Sequence, residues 1–230
     1  MSSIQLPPEH IFQESDSYTC GPCCLAMVYS LKGKHILLSD ILSDFNHPEK
    51  GKPTYIPQLA EHLEKNGIKT KLLVSTSKLL SPAWSRLPVA ELIENLEKWL
   101  KVHKSNPFIK DVEYMISYLK KGGTVEQDSY TTRTLKEMLD RGSVVILGVD
   151  EDWIWGHRLK LEGHKRVVDD IAGGVEGHFV LIKSYKGQNF HVLDPFPTNL
   201  ENKHGEYDVN ENQLLNASLT WDSQVLEILS

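Results

Sequence analysis

The chain has 230 residues, 40% of them apolar and 24% charged, an ordinary composition for a globular protein large enough to bury a core. Lys and Arg number 25 against 31 Asp and Glu, a net charge of −6, which disfavours a surface built to read a nucleic-acid backbone. No run approaches the ~18 apolar residues that span a bilayer, and residues 1–12 lack the basic start and apolar stretch of a signal peptide, so a cytoplasmic protein without a membrane partner is expected.

Residues 1–18 are polar, carry Pro7 and Pro8, and read as an extended arm. A helix is predicted from Cys20 to about Leu31, with Gly33 ending it. Ser39 suits the cap of a short helix through Phe45, and residues 46–53 read as a loop. Pro57 fits a first helical turn, Leu59, Ala60 and Leu63 follow at helical spacing, and Gly67 stops the helix before a strand over Ile68–Val74. Two apolar stripes come next. Val89, Leu92, Ile93, Leu96, Trp99 and Leu100 form one; Phe108, Ile109, Val112, Met115, Ile116 and Leu119 form the other, behind an Asn106-Pro107 cap and first turn. They predict a helical hairpin over about 87–122, inserted between a helical front half and a β-rich back half. Its polar residues, Glu91, Glu94, Lys98, Lys101, Lys110 and Glu113, are free to meet a partner, which suggests a role in choosing the substrate.

Thr132 is expected to cap a helix carrying Leu135, Met138 and Leu139, followed by a buried strand over Val144–Val149. Residues 150–177 read as loop, with Trp153, Trp155, His157 and His164; the two His residues suit a surface loop better than a cleft. Strands over Phe179–Tyr185 and Asn189–Asp194, a short helix near 210–216 and a strand over Gln224–Leu229 complete one α+β domain spanning 1–230.

The three cysteines, Cys20, Cys23 and Cys24, fall within five positions, too few and too close for a disulfide scaffold. Cys20-Gly-Pro-Cys23 has the spacing of a thioredoxin dithiol, but that fold needs an apolar strand running into the first Cys, and the residues before Cys20 are polar. A zinc site would need a second pair of ligands at metal spacing, which the scattered His residues do not supply. No metal or cofactor is therefore expected. A nucleophile at a helix N-terminus fits better. The dipole and free N–H groups there favour the thiolate, Gly21 allows close backbone approach and Pro22 needs no donor. Cys23 and Cys24 then fall inside the helix as buried packing residues.

A thiolate nucleophile needs a base, and the base an orienting group. His178 stands at the mouth of an apolar strand, and Asp194 ends the next strand. Their strands must be registered so that both side chains share a face. A two-residue turn at Gly187-Gln188 would pair 181 with 194 and set His178 and Asp194 on opposite faces. A three-residue turn, Lys186-Gly187-Gln188, would pair 180 with 194 and make them diagonal neighbours on one face. His191 is expected to face away from Asp194. Upstream, the Gln13 amide is a candidate to meet a developing oxyanion beside the Cys20 N–H.

The order Gln, Thr-Cys-Gly-Pro at a helix start, Gly-His-Phe-Val, then Leu-Asp-Pro resembles the papain-like peptidases related to the bacteriocin-processing, double-glycine-leader type, over roughly 11–74 and 131–197. The resemblance implies a papain-like α+β fold in which a nucleophile-bearing helix packs on an antiparallel sheet carrying His and Asp. It assigns Cys20 as nucleophile, His178 as base, Asp194 as its orienter and Gln13 as oxyanion residue, and a peptide or protein as substrate. Bacteriocin processors of this kind are usually fused to transporters; this chain is expected to stand alone, so its substrate need not be a double-glycine leader. Peptide or isopeptide hydrolysis is the leading expectation. Acyl transfer or deamidation by the same residues, dithiol redox chemistry through Cys20 and Cys23, and a catalytically silent peptide-capture module are the alternatives.

Overall fold

The computed structural model describes residues 10–45, 52–163, 165–221 and 223–230. Parts of the expected arm and of the 46–53 loop, and His164, lie outside them.

Seven strands form one sheet: β1 (Thr70–Val74), β2 (Thr124–Gln127), β3 (Val144–Asp150), β6 (Gly177–Lys186), β7 (Asn189–Leu193), β8 (Glu206–Asn210) and β9 (Gln224–Ile228), in the order β2-β1-β9-β3-β6-β7-β8. Only β1 and β2 run parallel; every other neighbouring pair is antiparallel. Alternate strand residues serve two cores. Leu72, Val74, Val144, Ile146, Phe179, Leu181, Leu226 and Ile228 face one layer of helices. Leu73, Val145, Leu147, Val149, Val180, Ile182 and Val225 face the other. Both faces are dry, so β3 is an unbroken apolar run instead of an alternating one.

The first helical layer holds α1 (Cys20–Leu31), α2 (Leu38–Asp44), α3 (Ile56–Lys65), α4 (Val89–Val102) and α5 (Ile109–Lys120). The second holds α6 (Thr132–Asp140), α7 (Glu151–Trp155) and α8 (Glu211–Thr220). The mixed α+β class and the helix-on-antiparallel-sheet arrangement are as the sequence leads one to expect. Several helix ends differ by one or two residues from the sequence signals, and α8 runs to Thr220, four residues past the expected end at 216. α6 is capped by Thr131 rather than Thr132, through a bond from the Thr134 N–H. α2 has no side-chain cap, and Ser39 lies inside it. Asn106 accepts from the Phe108 N–H, and α5 proper starts after that turn.

The loop expected over 150–177 is a correction. It folds into α7 and a separate two-stranded sheet of β4 (Leu159–Glu162) and β5 (Lys165–Val168). Asp150 caps α7 by accepting from the N–H groups of Asp152 and Trp153. The short hairpin is pinned by Arg166, whose guanidinium reaches Glu151 at 2.7 Å and Glu176 at 2.5 Å.

The helices at 89–120 pack on each other and are built into the interior. Leu92 and Leu96 of α4 and Val112, Met115, Ile116 and Leu119 of α5 enter the first core. The buried Tyr118 hydroxyl bonds to Thr70 on β1.

Candidate active site

α1 lies against β6, with Leu25 and Val28 buried on one side and Phe179 and Leu181 on the other. The buried Cys24 thiol donates to the Phe179 carbonyl at 3.4 Å, one helical turn from Cys20 and one residue from His178. This contact fixes the helix start beside the strand start. Thr19 forms no side-chain cap, and the first turn carries no acidic residue. The positive end of the helix is thus left for an anion at Cys20. Close approach also needs Gly21: a Cβ there would collide with the Thr54 hydroxyl and press on Leu59.

The β6–β7 hairpin reaches the shared-face register without the three-residue turn. Its connection is the two-residue turn, with Lys186 opposite Asn189 and Gly187 in the left-handed region at φ 62°. A β-bulge at Lys183 then shifts the pairing, so that Ile182 faces Val192 and Leu181 faces Leu193. Continued one step, this is the 180-to-194 register, and His178 and Asp194 share a face. The His178 Nε2 donates to Asp194 Oδ1 at 2.6 Å. Asp194 takes Nε2, which leaves Nδ1 as the remaining ring nitrogen, and the ring feels Cys20 beside it.

Asp194 is fully buried and has a full set of donors. Beyond His178, Oδ1 accepts from the Phe196 N–H at 2.8 Å. Oδ2 accepts from Trp155 Nε1 at 3.0 Å and from the Tyr207 hydroxyl. Burial opposes its charge, but the His178 ring and these donors together hold its carboxyl below the usual range. For His178 burial again opposes the charge, yet the Asp194 carboxylate and the Cys20 contact push its pKa up to about 10. These contacts bias the ring toward its charged form. Burial pushes the Cys23 thiol up to about 12, and that of Cys24 well above the ordinary thiol value, so both stay protonated. Neither is a good nucleophile or redox partner.

Cys20 and His178 open on a cleft of about 340 Å³, also lined by Tyr55, Phe108, Asp111 and Trp221. Gln13 is buried nearby, with its backbone N–H on the Pro195 carbonyl at 2.8 Å. One hydrogen of its side-chain amide goes to the Ser17 carbonyl at 3.0 Å, leaving the second. Gln13 is not among the residues lining the cleft. His157 bonds to Asp170 on the exposed side, and His191 pairs with Asp208 and Glu206, away from Asp194. No group of three or more His, Cys, Asp or Glu placed to hold a metal ion lies among the described residues. No described helix is long and apolar enough to cross a membrane.

Sequence reasoning did not find Trp155 or Tyr207 as donors to Asp194. Tyr207 had a local signal, the alternation of Tyr207 and Val209 as buried residues of β8. Trp155 had only its proximity to the apolar end of β3. The hairpin's contribution also differs from expectation. Glu94 pairs with Lys98 and Lys110 with Glu113 along their own helices, whereas Pro107, Phe108 and Asp111 reach the cleft.

The model of the Peptidase C39 family matches residues 9–103. These include Gln13 and Cys20 and run through α4, stopping short of His178 and Asp194; the expected second stretch of resemblance, 131–197, lies outside them. No curated protein matches. Among solved structures, a candidate C39-like peptidase from Bacillus anthracis is 14% identical, with a TM-score of 0.30, covering 44% of this chain and 48% of that one. The chain thus spans about half the length of that structure. The family match relates this chain, through its Cys20-bearing part, to the Peptidase C39 family.

Proposed function

We propose that this protein is a cysteine hydrolase that cleaves a peptide or isopeptide amide through Cys20, His178 and Asp194. The observation that carries the reading is the meeting of the uncapped α1 start with a buried His178–Asp194 pair at the wall of one cleft. The Cys20 thiolate attacks the carbonyl carbon, and the oxygen becomes an anion. The Cys20 N–H at the helix start and the second hydrogen of the Gln13 amide are the donors for that anion. The imidazolium of His178 gives its Nδ1 proton to the departing amine, leaving a thioester on Cys20. The neutral ring then takes a proton from water as the water attacks the thioester, releasing the acid and restoring the thiolate. Asp194 keeps the ring oriented and stabilises its charge throughout. Peptidase C39 relatives point to the same reaction class, with a peptide or protein as substrate.

Cleavage of a fluorogenic peptide library by three variants tests this. Cys20→Ala should abolish cleavage with the fold intact. Cys23→Ser should keep it, because Cys23 is buried within α1. Equal loss in both variants would replace the hydrolase with a dithiol enzyme.

A further inference from the structure

Asp111 is the one carboxylate among the residues lining the Cys20 cleft, and Lys78, which lines the same cleft, forms no ion pair with it. Nine-tenths buried on α5, it has no ion pair among the described residues; its side-chain partner there is the Gln224 amide, at a long 3.5 Å. The neighbouring cation in sequence, Lys110, is engaged by Glu113 at 2.6 Å. Burial pushes the Asp111 carboxyl up to about 6, so it is ionised at neutral pH at a cost to the fold. The Tyr55 hydroxyl also feels it: burial raises the pKa of that phenol, and the Asp111 charge raises it further. A second polar atom at this wall, the buried Thr54 hydroxyl oxygen, has no partner among the described residues. Tyr55, Phe108 and Trp221 give the cleft an aromatic part, beside aliphatic and polar residues.

We propose that Asp111 is a specificity-determining residue that binds a lysine or arginine side chain of the substrate close to the scissile bond. This rests on the hydrolase reading above and names its substrate class. A cation brought to Asp111 supplies the charge partner the fold withholds. The aromatic walls suit the aliphatic stem and the cationic head of such a side chain. A neutral side chain of equal length would leave the carboxylate buried and unpaired, which gives discrimination against it.

The test is a positional peptide library cleaved by the wild-type protein, Asp111→Asn and Asp111→Lys. Asn keeps the shape and removes the charge, and thermal unfolding confirms that each variant is folded. The wild type should favour Lys or Arg at one position beside the cleavage site. Asp111→Asn should lower kcat/KM for basic peptides roughly tenfold or more, while peptides with norleucine or Gln at that position change little. Asp111→Lys should shift acceptance toward Glu or Asp. Cleavage by the wild type without basic preference, or an equal loss on basic and neutral peptides in Asp111→Asn, overturns the assignment of Asp111 alone. No cleavage of any peptide, together with no reaction of Cys20 with a peptidyl thiol-directed probe, overturns the hydrolase reading and this inference with it.

Discussion

Asp194 shows how much a single side chain can organise. It receives four donors from four separate places: His178 on β6, the Phe196 backbone, Trp155 on α7 and Tyr207 on β8. With its carboxyl held below 3.8 in the fold, Asp194 adds stability at neutral pH that is lost as the pH falls through that depressed value. Tyr207→Phe removes one donor and keeps the ring. The variant should lose about 1.5–3 kcal/mol at pH 7 in urea unfolding. Its acid limb of activity should move to higher pH, because Asp194 then protonates more readily. At this scale Cys20, His178 and Asp194 were legible, since each sits in a local pattern: a helix start, a strand mouth and a strand end before Pro195. Trp155 was not, because its bond to Asp194 arises only from what the fold sets against it, and the same holds for the role proposed for Asp111.

The elements divide in the same way. α1, α3, α4 and α5 carry long apolar periods and are visible in sequence. β2, β4 and β5 have four residues each, are mostly exposed or half-buried, and leave no such period. The hairpin of β4 and β5 nevertheless supports the site through Arg166, which packs its guanidinium over Phe196, 5.1 Å from the ring centre, and pairs with the buried Glu151. Burial pushes Glu151 up to about 7 even with Arg166 beside it. Arg166→Met should therefore destabilise the protein by about 1–3 kcal/mol in denaturant unfolding, because Glu151 loses its hydrogen-bonded partner and takes up a proton to stay buried. Adding Glu151→Leu to that variant should recover most of the loss; no recovery would show that the ion pair is not the cause. The β6–β7 register was only half legible. Sequence spacing defined the two possible pairings, but a bulge at Lys183 leaves no mark that separates it from an ordinary strand residue. Lys183 is itself buried and bonds to Glu206 at 2.9 Å, a long-range contact that steadies the irregular turn of the strand.

Across the whole molecule, two helical layers clamp one sheet, and the cleft opens where α1, β6 and α5 meet. The helical pair at 89–120 fills the first core and borders the cleft at once, so removing it would strip Leu96, Val112, Met115 and Tyr118 from the interior. The role in substrate choice proposed for it is tested through point changes such as Asp111→Asn. The central claim is the proposed pairing of Cys20 as nucleophile with His178 as base in this cleft. Alkylation by limiting iodoacetamide at pH 6–7, located by peptide mass spectrometry in the wild type, His178→Ala and Asp194→Asn, tests it most directly. Cys20 should react first and far faster than an ordinary thiol in the wild type, more slowly in Asp194→Asn, and at the ordinary rate in His178→Ala, with Cys23 and Cys24 untouched in the folded protein. Cys20 alkylation at the ordinary thiol rate in the wild type, or at the same rate with and without His178, would contradict the account.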